Sequence, residues 1–292
     1  MTSSESPRRP LDLRAVWALL KKEFLDNVRN RWIIALSAIF IVLTLVVSYF
    51  GAAQAGGGTG FQGLVETVVG MTAIATILIP ILGLMVSYAA VVGEKDRGSI
   101  LLLLSMPITR LETILGKFLG LGAVMLTAVL SGLGIGGVVI MAFTGTEGWE
   151  NFIVFLLGAV IFSLAFLSIG LLLSSVTKRR GVAMGLAVFL WFFFAFIFDL
   201  VLFGVLVATG GSLFPVPGEP FVIPDWFYAA TLFNPPDAFQ SFATRAFGLS
   251  GAFDIPIELP DFVTIGTTTL SMTLWAAIPL TLAFWRFRRQ DL

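Results

Sequence analysis

The stretch FIVFLLGAVIFSLAFLSIGLLLSSV, residues 152–176, contains no charged side chain and decides the class of fold. A helix needs about 20 apolar residues to cross a hydrocarbon core of about 30 Å, and this run is longer than that. Five further runs of similar character occur, so the chain is predicted to be an all-α polytopic membrane protein with six transmembrane helices. The predicted spans are residues 32–50, 67–92, 118–143, 152–176, 182–207 and 262–285.

The composition supports a membrane protein and excludes most enzyme classes. The 292 residues are 57% hydrophobic and 12% charged, whereas soluble domains are about 25% charged. The chain has no His and no Cys, which excludes the usual zinc sites, disulfides and Cys/His nucleophile pairs. Gly116-Lys117 is not a nucleotide-binding loop, because Leu111 and Phe118 replace residues that this motif requires. We therefore expect a non-catalytic chain without a cofactor or metal of its own, which acts by moving.

The distribution of charge predicts the orientation in the membrane. The net charge is zero and gives no indication of a nucleic-acid partner, but all Lys and Arg residues except Arg245 fall in residues 1–31, 93–117, 178–180 and 286–292. Cytoplasmic segments carry such an excess of Lys and Arg. We therefore expect residues 1–31, the loop 93–117 and the tail 286–292 in the cytoplasm, flanking a transmembrane domain over residues 32–285. The acidic segment 208–261 is then extracytoplasmic.

Two cytoplasmic segments have patterns that suggest a function. Apolar residues recur at helical spacing over residues 13–28, which predicts an amphipathic helix on the inner membrane surface. In the loop, Thr109 and Glu112 form a capping box that starts a helix, and a short apolar helix precedes it. That helix either enters a groove of a cytoplasmic partner or lies flat among lipid headgroups. The residues assigned to coupling are Glu94, Arg97, Gly98, Ile100, Leu101, Leu102, Leu103, Leu104 and Pro107.

The outer segment contains one predicted helix. Asn234, Pro235 and Asp237 form a turn and cap, and Phe239 and Phe242 then share a helical face. That face could rest in the outer membrane interface, or it could be a docking surface for an extracytoplasmic protein. The sequence leaves both possibilities open.

Asp199 is the only ionisable acid or base inside a predicted span. A carboxylate at the centre of a span costs about 2.5–3.5 kcal/mol, so it must face protein or water. Three roles stay open: a proton or cation relay, a polar lock between helices or between two copies of the chain, and an acid at the mouth of an outer cavity. The glycines at positions 116 and 120 indicate close packing of helices.

Several motifs together resemble a known family. KEFLDNVRNRW (22–32) and GEKDRGSILLLLSMP (93–107) resemble the elbow helix and the coupling segment of type-2, exporter-like ABC transporter permeases (ABC-2 type). More narrowly, ILGKF (114–118), FDLVL (198–202) and LFNPPD (232–237) resemble NosY-like permeases, the membrane subunits of nitrous oxide reductase maturation transporters.

The resemblance implies a partner set and a function. It implies a homodimer in the plasma membrane, bound to two copies of a cytoplasmic ABC ATPase that holds ATP and Mg. An extracytoplasmic β-helical, NosD-like subunit and a copper chaperone complete the assembly, which serves copper-site assembly in nitrous oxide reductase during denitrification. Two alternatives stay open. One is an ABC-2 exporter of a lipid, drug or other apolar substrate, and the other is a membrane scaffold that works without an ATPase.

Overall fold

The computed structural model describes residues 11–50, 60, 63–96, 108–211, 223–249 and 259–289, apart from the side chains of Trp32 and Glu66. Every regular element within these ranges is a helix. In chain order the helices are α1 (Leu13–Val28), α2 (Arg31–Phe50), α3 (Leu64–Ser87), α4 (Val92–Asp96), α5 (Arg110–Thr144), α6 (Trp149–Val176), α7 (Arg180–Ala208), α8 (Asp225–Thr231), α9 (Pro235–Phe247) and α10 (Ile265–Arg288).

Six of the described segments are long and apolar enough to cross a membrane. They are α2, α3 with its continuation into α4, α5, α6, α7 and α10, which confirms the predicted all-α fold with six spans. Five of these helices extend beyond the predicted apolar runs, whereas the last one, predicted at 262–285, is Ile265–Arg288 and so begins and ends three residues later. The third begins at Arg110 rather than at 118, because the predicted capping box of Thr109 and Glu112 is formed.

The central helix of the bundle is α6, which packs against α3, α5, α9 and α10. Its sequence is apolar on all sides, as expected for a helix with no face toward water. Phe155, Phe162 and Phe166 on α6 have no exposed surface. By contrast, α7 keeps most of its large apolar side chains exposed. The core therefore lies along α6, and α7 lies at the periphery.

The outer helix α9 is part of this core. It packs against α3, α6 and α10, and its Phe239 ring stacks on Phe162 at a centroid distance of 4.8 Å. Phe242 lies so close to Gly158 that a Cβ at that glycine would overlap its ring. The aromatic face of α9 is therefore filled by protein, and Phe239 and Phe242 are not free to contact lipid or a partner.

The N-terminal helix α1 packs along the start of α5. Leu19 lies against Gly116, and the backbone of Leu20 lies against Gly120, so these two glycines do provide the predicted close approach between helices. Only part of the apolar face of α1 is used in this contact. Val16 and Leu19 are buried, whereas Leu13 and Trp17 are 73% and 64% exposed.

Candidate functional site

Charged side chains collect at the two ends of the bundle. We define the basic end as the end formed by α1, α4, the starts of α5 and α7 and the last turn of α10, which contact one another through Arg110, Arg180 and Lys117. The acidic end is the opposite one, formed by α8, α9 and the start of α10. Both ends contain a cluster of polar side chains that joins elements far apart in sequence.

At the basic end, Lys117 is the centre of an ion-pair cluster. Its Nζ atom lies 2.7 Å from Glu23 Oε1 and 2.7 Å from Glu94 Oε1, and the residue is 1% exposed. Lys22 reaches the same two carboxylates, at 3.5 Å from Glu23 and 3.3 Å from Glu94. A buried lysine is tolerated when it is paired with opposite charges, and here two carboxylates meet two ammonium groups.

The four side chains come from three elements. Lys22 and Glu23 lie on α1, Glu94 on α4 and Lys117 on α5. Burial alone would lower the pKa of Lys22, but the carboxylates of Glu23 and Glu94 outweigh burial and raise that pKa above its ordinary value. The cluster therefore holds the three elements together by attraction between opposite charges.

A second contact joins the starts of α1 and α5. The carboxylate of Glu112 accepts hydrogen bonds from the backbone N–H groups of Thr109 and Asp12, both at 2.6 Å. Glu112 is 1% exposed. One carboxylate thus satisfies donors at two helix starts, which would otherwise lack partners.

Two arginines extend this network to the other helices of the basic end. Arg110 donates to the carbonyl groups of Phe287 and Arg288, at 2.8 and 3.1 Å. The backbone N–H of Arg180 donates to Asp96 Oδ2 at 3.1 Å. These contacts link α10 to α5 and α7 to α4.

Most of the predicted coupling residues fall outside the described part of the chain. Glu94 is described and belongs to the ion-pair cluster, whereas Arg97, Gly98, Ile100, Leu101, Leu102, Leu103, Leu104 and Pro107 lie in the interval 97–107. Both flanks of that interval are described. Its N-terminal flank is tied to the cluster by Glu94 and to α7 by Asp96, and its C-terminal flank is tied to α1 by the Thr109 and Glu112 cap.

At the acidic end, Asp199 of α7 meets the first turn of α9. It lies near the side chains of Asp237 and Asn234. Asn234 Nδ2 donates to Asp237 Oδ2 at 2.8 Å and to the carbonyl of Phe194 at 3.1 Å. The hydrogen bond from Asn234 to Phe194 therefore joins the start of α9 to α7.

The environment of Asp237 disfavours its ionised form. Burial is the largest cause, the negative charge of Asp199 adds to it, and together they raise the pKa of Asp237 to about 8 despite the hydrogen bond from Asn234. The carbonyl of Phe194 belongs to a π-helical turn, Phe193–Ile197, within α7. Such turns are rare and occur mainly at functional sites.

The same segment is tied to α10 as well. Ser271 donates to the carbonyl of Leu232, and Trp275 Nε1 donates to the carbonyl of Phe233 at 3.2 Å. Near the other end of α9, Arg245 donates to the carbonyl groups of Leu259, Pro260 and Val263 at 2.7–2.8 Å. The outer helix is thus held to the spans on both sides of it.

The residues predicted to dock an outer subunit need correction. Asn234 and Phe239 have no exposed surface, Phe242 is 3% exposed and Pro235 is buried, so these side chains are occupied by contacts within the chain. Asp237, only partly buried, is engaged with Asp199. The amphipathic pattern was real, but it marked a face packed on α6. The exposed residues of this region include Asp225, Trp226, Phe233 and Gln240.

A comparison with known proteins identifies the family. The family model described as "ABC-2 family transporter protein" matches residues 17–292. This chain belongs to the ABC-2 family. It is 35% identical over 288 residues to a probable ABC transporter permease protein NosY from Pseudomonas aeruginosa, covering 95% of this chain and 99% of the relative. It is 33% identical, with the same coverage, to a probable ABC transporter permease protein NosY from Stutzerimonas stutzeri.

Family membership makes the chain a permease, a multi-pass membrane subunit that works with an ATPase partner. The described residues contain no group of three or more Asp and Glu side chains placed to hold a metal ion. What the permease does have is a charge cluster on the flank of the segment 97–107 and a polar site that joins α7 to α9. Both arrangements connect helices.

The ion-pair cluster was missed by the sequence analysis. Glu23 looked like one charge among many on α1, and Lys117 was considered only as part of a failed nucleotide-binding motif. One feature of the sequence could have indicated the cluster. Lys117 is the last charged residue before a long apolar run, so its ammonium group lies at the edge of the apolar region, where it needs a partner of opposite charge.

Proposed function

We propose that this permease transmits ATP-driven movement across the plasma membrane in a complex that matures nitrous oxide reductase. The basic end, with both termini, faces the cytoplasm. Two copies of the chain bind two copies of an ABC ATPase, which holds ATP and Mg. A NosD-like β-helical subunit sits on the acidic end and works with a copper chaperone in copper-site assembly.

The observation that carries this proposal is the match from end to end with permeases named NosY. Relatives that share only a fold differ in function, but here 99% of the relatives' length is covered, including the outer segment that would meet an outer subunit. The charge distribution adds independent support, since the basic end follows the positive-inside rule.

The structure suggests how force would enter the permease. An ATPase that moves the segment 97–107 pulls on both of its flanks. The N-terminal flank carries Glu94, bonded to Lys117 of α5, and the C-terminal flank begins α5 itself. Movement of this segment would therefore be passed to α1 and α5 together, and from there to the spans packed on them.

Force would leave the permease through α9. This helix packs between the central helix α6 and the last span α10, so a tilt of either span displaces it. The surface offered to a NosD-like subunit consists of exposed residues of the same region, Trp226, Phe233 and Gln240. Trp and Phe are frequent anchors of protein interfaces.

Genetic replacement tests the function directly. The chain is expressed in a denitrifying bacterium that lacks its own NosY, and the purified nitrous oxide reductase is assayed for copper content. We expect copper loading to recover, and to be lost again when Leu102 and Leu103 are both replaced by Glu. A membrane-inserted permease that binds the ATPase but leaves the reductase without copper would contradict the proposal.

Orientation is tested with single cysteines, since the chain has none of its own. Ala18→Cys lies on the exposed side of α1 and Gln240→Cys on the exposed side of α9. A maleimide that cannot cross membranes should label Gln240→Cys in intact cells and Ala18→Cys only in inverted vesicles. The opposite pattern would reverse the topology.

One observation favours the alternative of an apolar-substrate exporter. Between α5 and α6 lies an apolar cavity of about 540 Å³, lined by residues that include Leu130, Val138, Trp149 and Ile153, and this is large enough for part of a lipid chain. Val138→Trp places a large side chain in the cavity, and Ile77→Trp, on the exposed side of α3, is the control. Loss of copper loading in Val138→Trp alone would show that the cavity is functional. Unchanged loading in both variants would favour the mechanical role.

A further inference from the structure

We propose that a groove between α2 and α5 binds one anionic phospholipid of the membrane leaflet at the basic end. An acyl chain lies in the groove, and the phosphate group lies at Arg29 and Arg31. This site is separate from the ion-pair cluster and from the polar site that joins α7 to α9. It belongs to the permease alone, so its occupancy does not depend on which substrate or partner the complex serves.

The groove has two apolar walls and a closed inner end. Its volume is about 260 Å³. The walls include Ile34, Ala38 and Ile41 of α2 and Val124, Ala128 and Ser131 of α5. Each set has the spacing of a single helical face. The groove closes where Phe40 of α2 lies so near Gly132 of α5 that a Cβ at this glycine would overlap the ring. The two helices therefore touch near the middle of α2 and leave a gap between them toward the basic end.

The length of the groove matches the depth of one leaflet. From Arg31 to Ile41, α2 rises by about 15 Å at about 1.5 Å per residue, which is half of a hydrocarbon core of about 30 Å. The rim residues Ile34, Ala38 and Thr127 are exposed, so a lipid chain can enter from the side. One acyl chain of this leaflet would thus extend from the opening of the groove to its closed end.

The hydroxyl groups on the α5 wall do not require a polar occupant. The hydroxyl of Thr127 donates to the carbonyl of Ala123 at 2.9 Å, and that of Ser131 donates to the carbonyl of Ala128 at 3.0 Å. Both hydrogens are therefore used within α5 itself, as is common for Ser and Thr in helices. The remaining surface of the groove consists mainly of aliphatic side chains, which suits a hydrocarbon chain.

Two arginines lie at the opening of the groove. Arg31 precedes the lining residue Ile34 by three positions and therefore continues the same face of α2. Arg29 directly follows Val28, a lining residue from α1. Both arginines are exposed, and the ion pairs among the described residues include neither of them.

The opening therefore complements an anionic headgroup. Basic pockets between spans bind the headgroups of anionic lipids. A guanidinium group also matches the geometry of a phosphate, because it can donate two parallel hydrogen bonds. A lipid bound in this way would contact α1, α2 and α5 at once and would fill the gap between them.

Native mass spectrometry of the purified permease tests the headgroup. The probes are dioleoylphosphatidylglycerol and dioleoylphosphatidylcholine, which have the same chains and differ in net charge. We expect one phosphatidylglycerol per chain to bind in preference to phosphatidylcholine. Arg29→Gln and Arg31→Gln should each weaken its binding about fivefold, and together about 25-fold. Lys178→Gln combined with Arg179→Gln removes two exposed basic residues before α7. It is the matched control and should leave the affinity unchanged.

Filling the groove tests the acyl chain. Ala38→Phe places a ring between the walls and should prevent retention of phosphatidylglycerol. Ala35→Phe, at an exposed position of α2 outside the lining, should not. Glycerol 3-phosphate, which has the phosphate without the chains, should not displace the lipid at equal concentration. Displacement would show that the arginines bind a free phosphate group and would overturn the proposal.

Three other results would also contradict the lipid site. One is equal retention of the two lipids by the unmodified permease, which would make the groove an unselective apolar surface. Another is unchanged affinity in the variant that carries both Arg29→Gln and Arg31→Gln. The third is efficient formation of a disulfide between two copies that carry Ala38→Cys, because a second copy of the chain would then cover the groove.

Discussion

Charged side chains act differently at the two ends of this permease. At the basic end, the buried Lys117 lies between Glu23 and Glu94, and attraction between ionised groups joins α1, α4 and α5. At the acidic end, Asp199 of α7 lies near Asp237 of α9, and burial together with the charge of Asp199 raises the pKa of Asp237 to about 8. The first arrangement pairs opposite charges, whereas the second brings two acids close together.

The largest expected effect comes from removing the centre of the ion-pair cluster. Lys117→Met leaves two carboxylates near each other with only the half-exposed Lys22 to compensate them. Breaking a buried ion pair from one side typically costs about 3–5 kcal/mol. We expect a markedly lower melting temperature in detergent micelles, with unfolding monitored by intrinsic Trp fluorescence.

Two further variants make this test specific. Lys21→Met removes an exposed lysine one residue from the cluster and should change stability by less than about 0.5 kcal/mol. Adding Glu23→Gln and Glu94→Gln to Lys117→Met should recover part of the loss, because no buried carboxylate is then left without its partner and the remaining charge, Lys22, is half-exposed. Equal stability of Lys117→Met and Lys21→Met would show that the cluster does not hold the basic end.

A smaller effect is expected from the glycines that allow close packing at each end. Gly120→Ala at the basic end would place a Cβ 2.7 Å from the Leu20 carbonyl oxygen, and Gly158→Ala would place one inside the ring of Phe242. Overpacking of this kind costs about 1–3 kcal/mol. Gly204→Ala, which meets no atom within 4 Å, is the control and should be neutral or stabilising by up to about 1 kcal/mol. A melting temperature for Gly158→Ala at or above that of the control would mean that α9 is not packed on α6.

The pH dependence of stability should separate the two ends. The folded-state pKa of Asp237 is raised to about 8, from an ordinary value of 3.8. The folded protein therefore retains a proton that the unfolded chain has released. The resulting stabilisation is complete below about pH 4 and is lost as the pH rises through about 8.

Melting temperatures in detergent, measured between pH 5 and pH 9, should accordingly fall toward the alkaline side. Asp237→Asn should flatten this decline, whereas Lys117→Met should lower the whole curve without changing its slope in this range. A wild-type curve that rises toward pH 9 would contradict the raised pKa of Asp237.

The smallest effect concerns the contact between α5 and α10. Arg110→Gln removes the hydrogen bonds to the carbonyl groups of Phe287 and Arg288, each worth about 0.5–1.5 kcal/mol. We expect a slightly lower melting temperature and faster hydrogen exchange in the last turn of α10. Arg179→Gln, at an exposed position before α7, should alter neither quantity.

The features that the sequence predicted correctly are local ones. Six spans follow from the length of apolar runs, and the start of α5 follows from a capping box whose two residues are three positions apart. The close approach at Gly116 was predicted from the size of a single residue. Each of these features needs only neighbouring residues, so no knowledge of the tertiary structure is required.

The features that were missed depend on partners far apart in sequence. Lys117 and Glu23 are separated by 94 positions, and no periodicity marks them as a pair. The helical face that carries Phe239 and Phe242 would fit a lipid interface, a partner protein or a protein core equally well. Only the structure, in which the Phe242 ring lies against Gly158, shows that this face packs in the core. Asp199 was recognised as an acid inside a span, but the sequence did not indicate that Asp237 and Asn234 lie near it.

The separation of these partners has a consequence for the order in which the permease is made. Glu23 leaves the ribosome before Lys117 has been translated, and at about 5–20 residues per second the interval is several seconds. Until then its carboxylate must remain in water, so α1 reaches its final position only after the third span has been inserted. The carbonyl groups that bind Arg110 come 177 and 178 residues after it. The end that is synthesised first is therefore the last to be completed, and an ATPase subunit that recognises the finished basic end would bind only permeases whose six spans are in place.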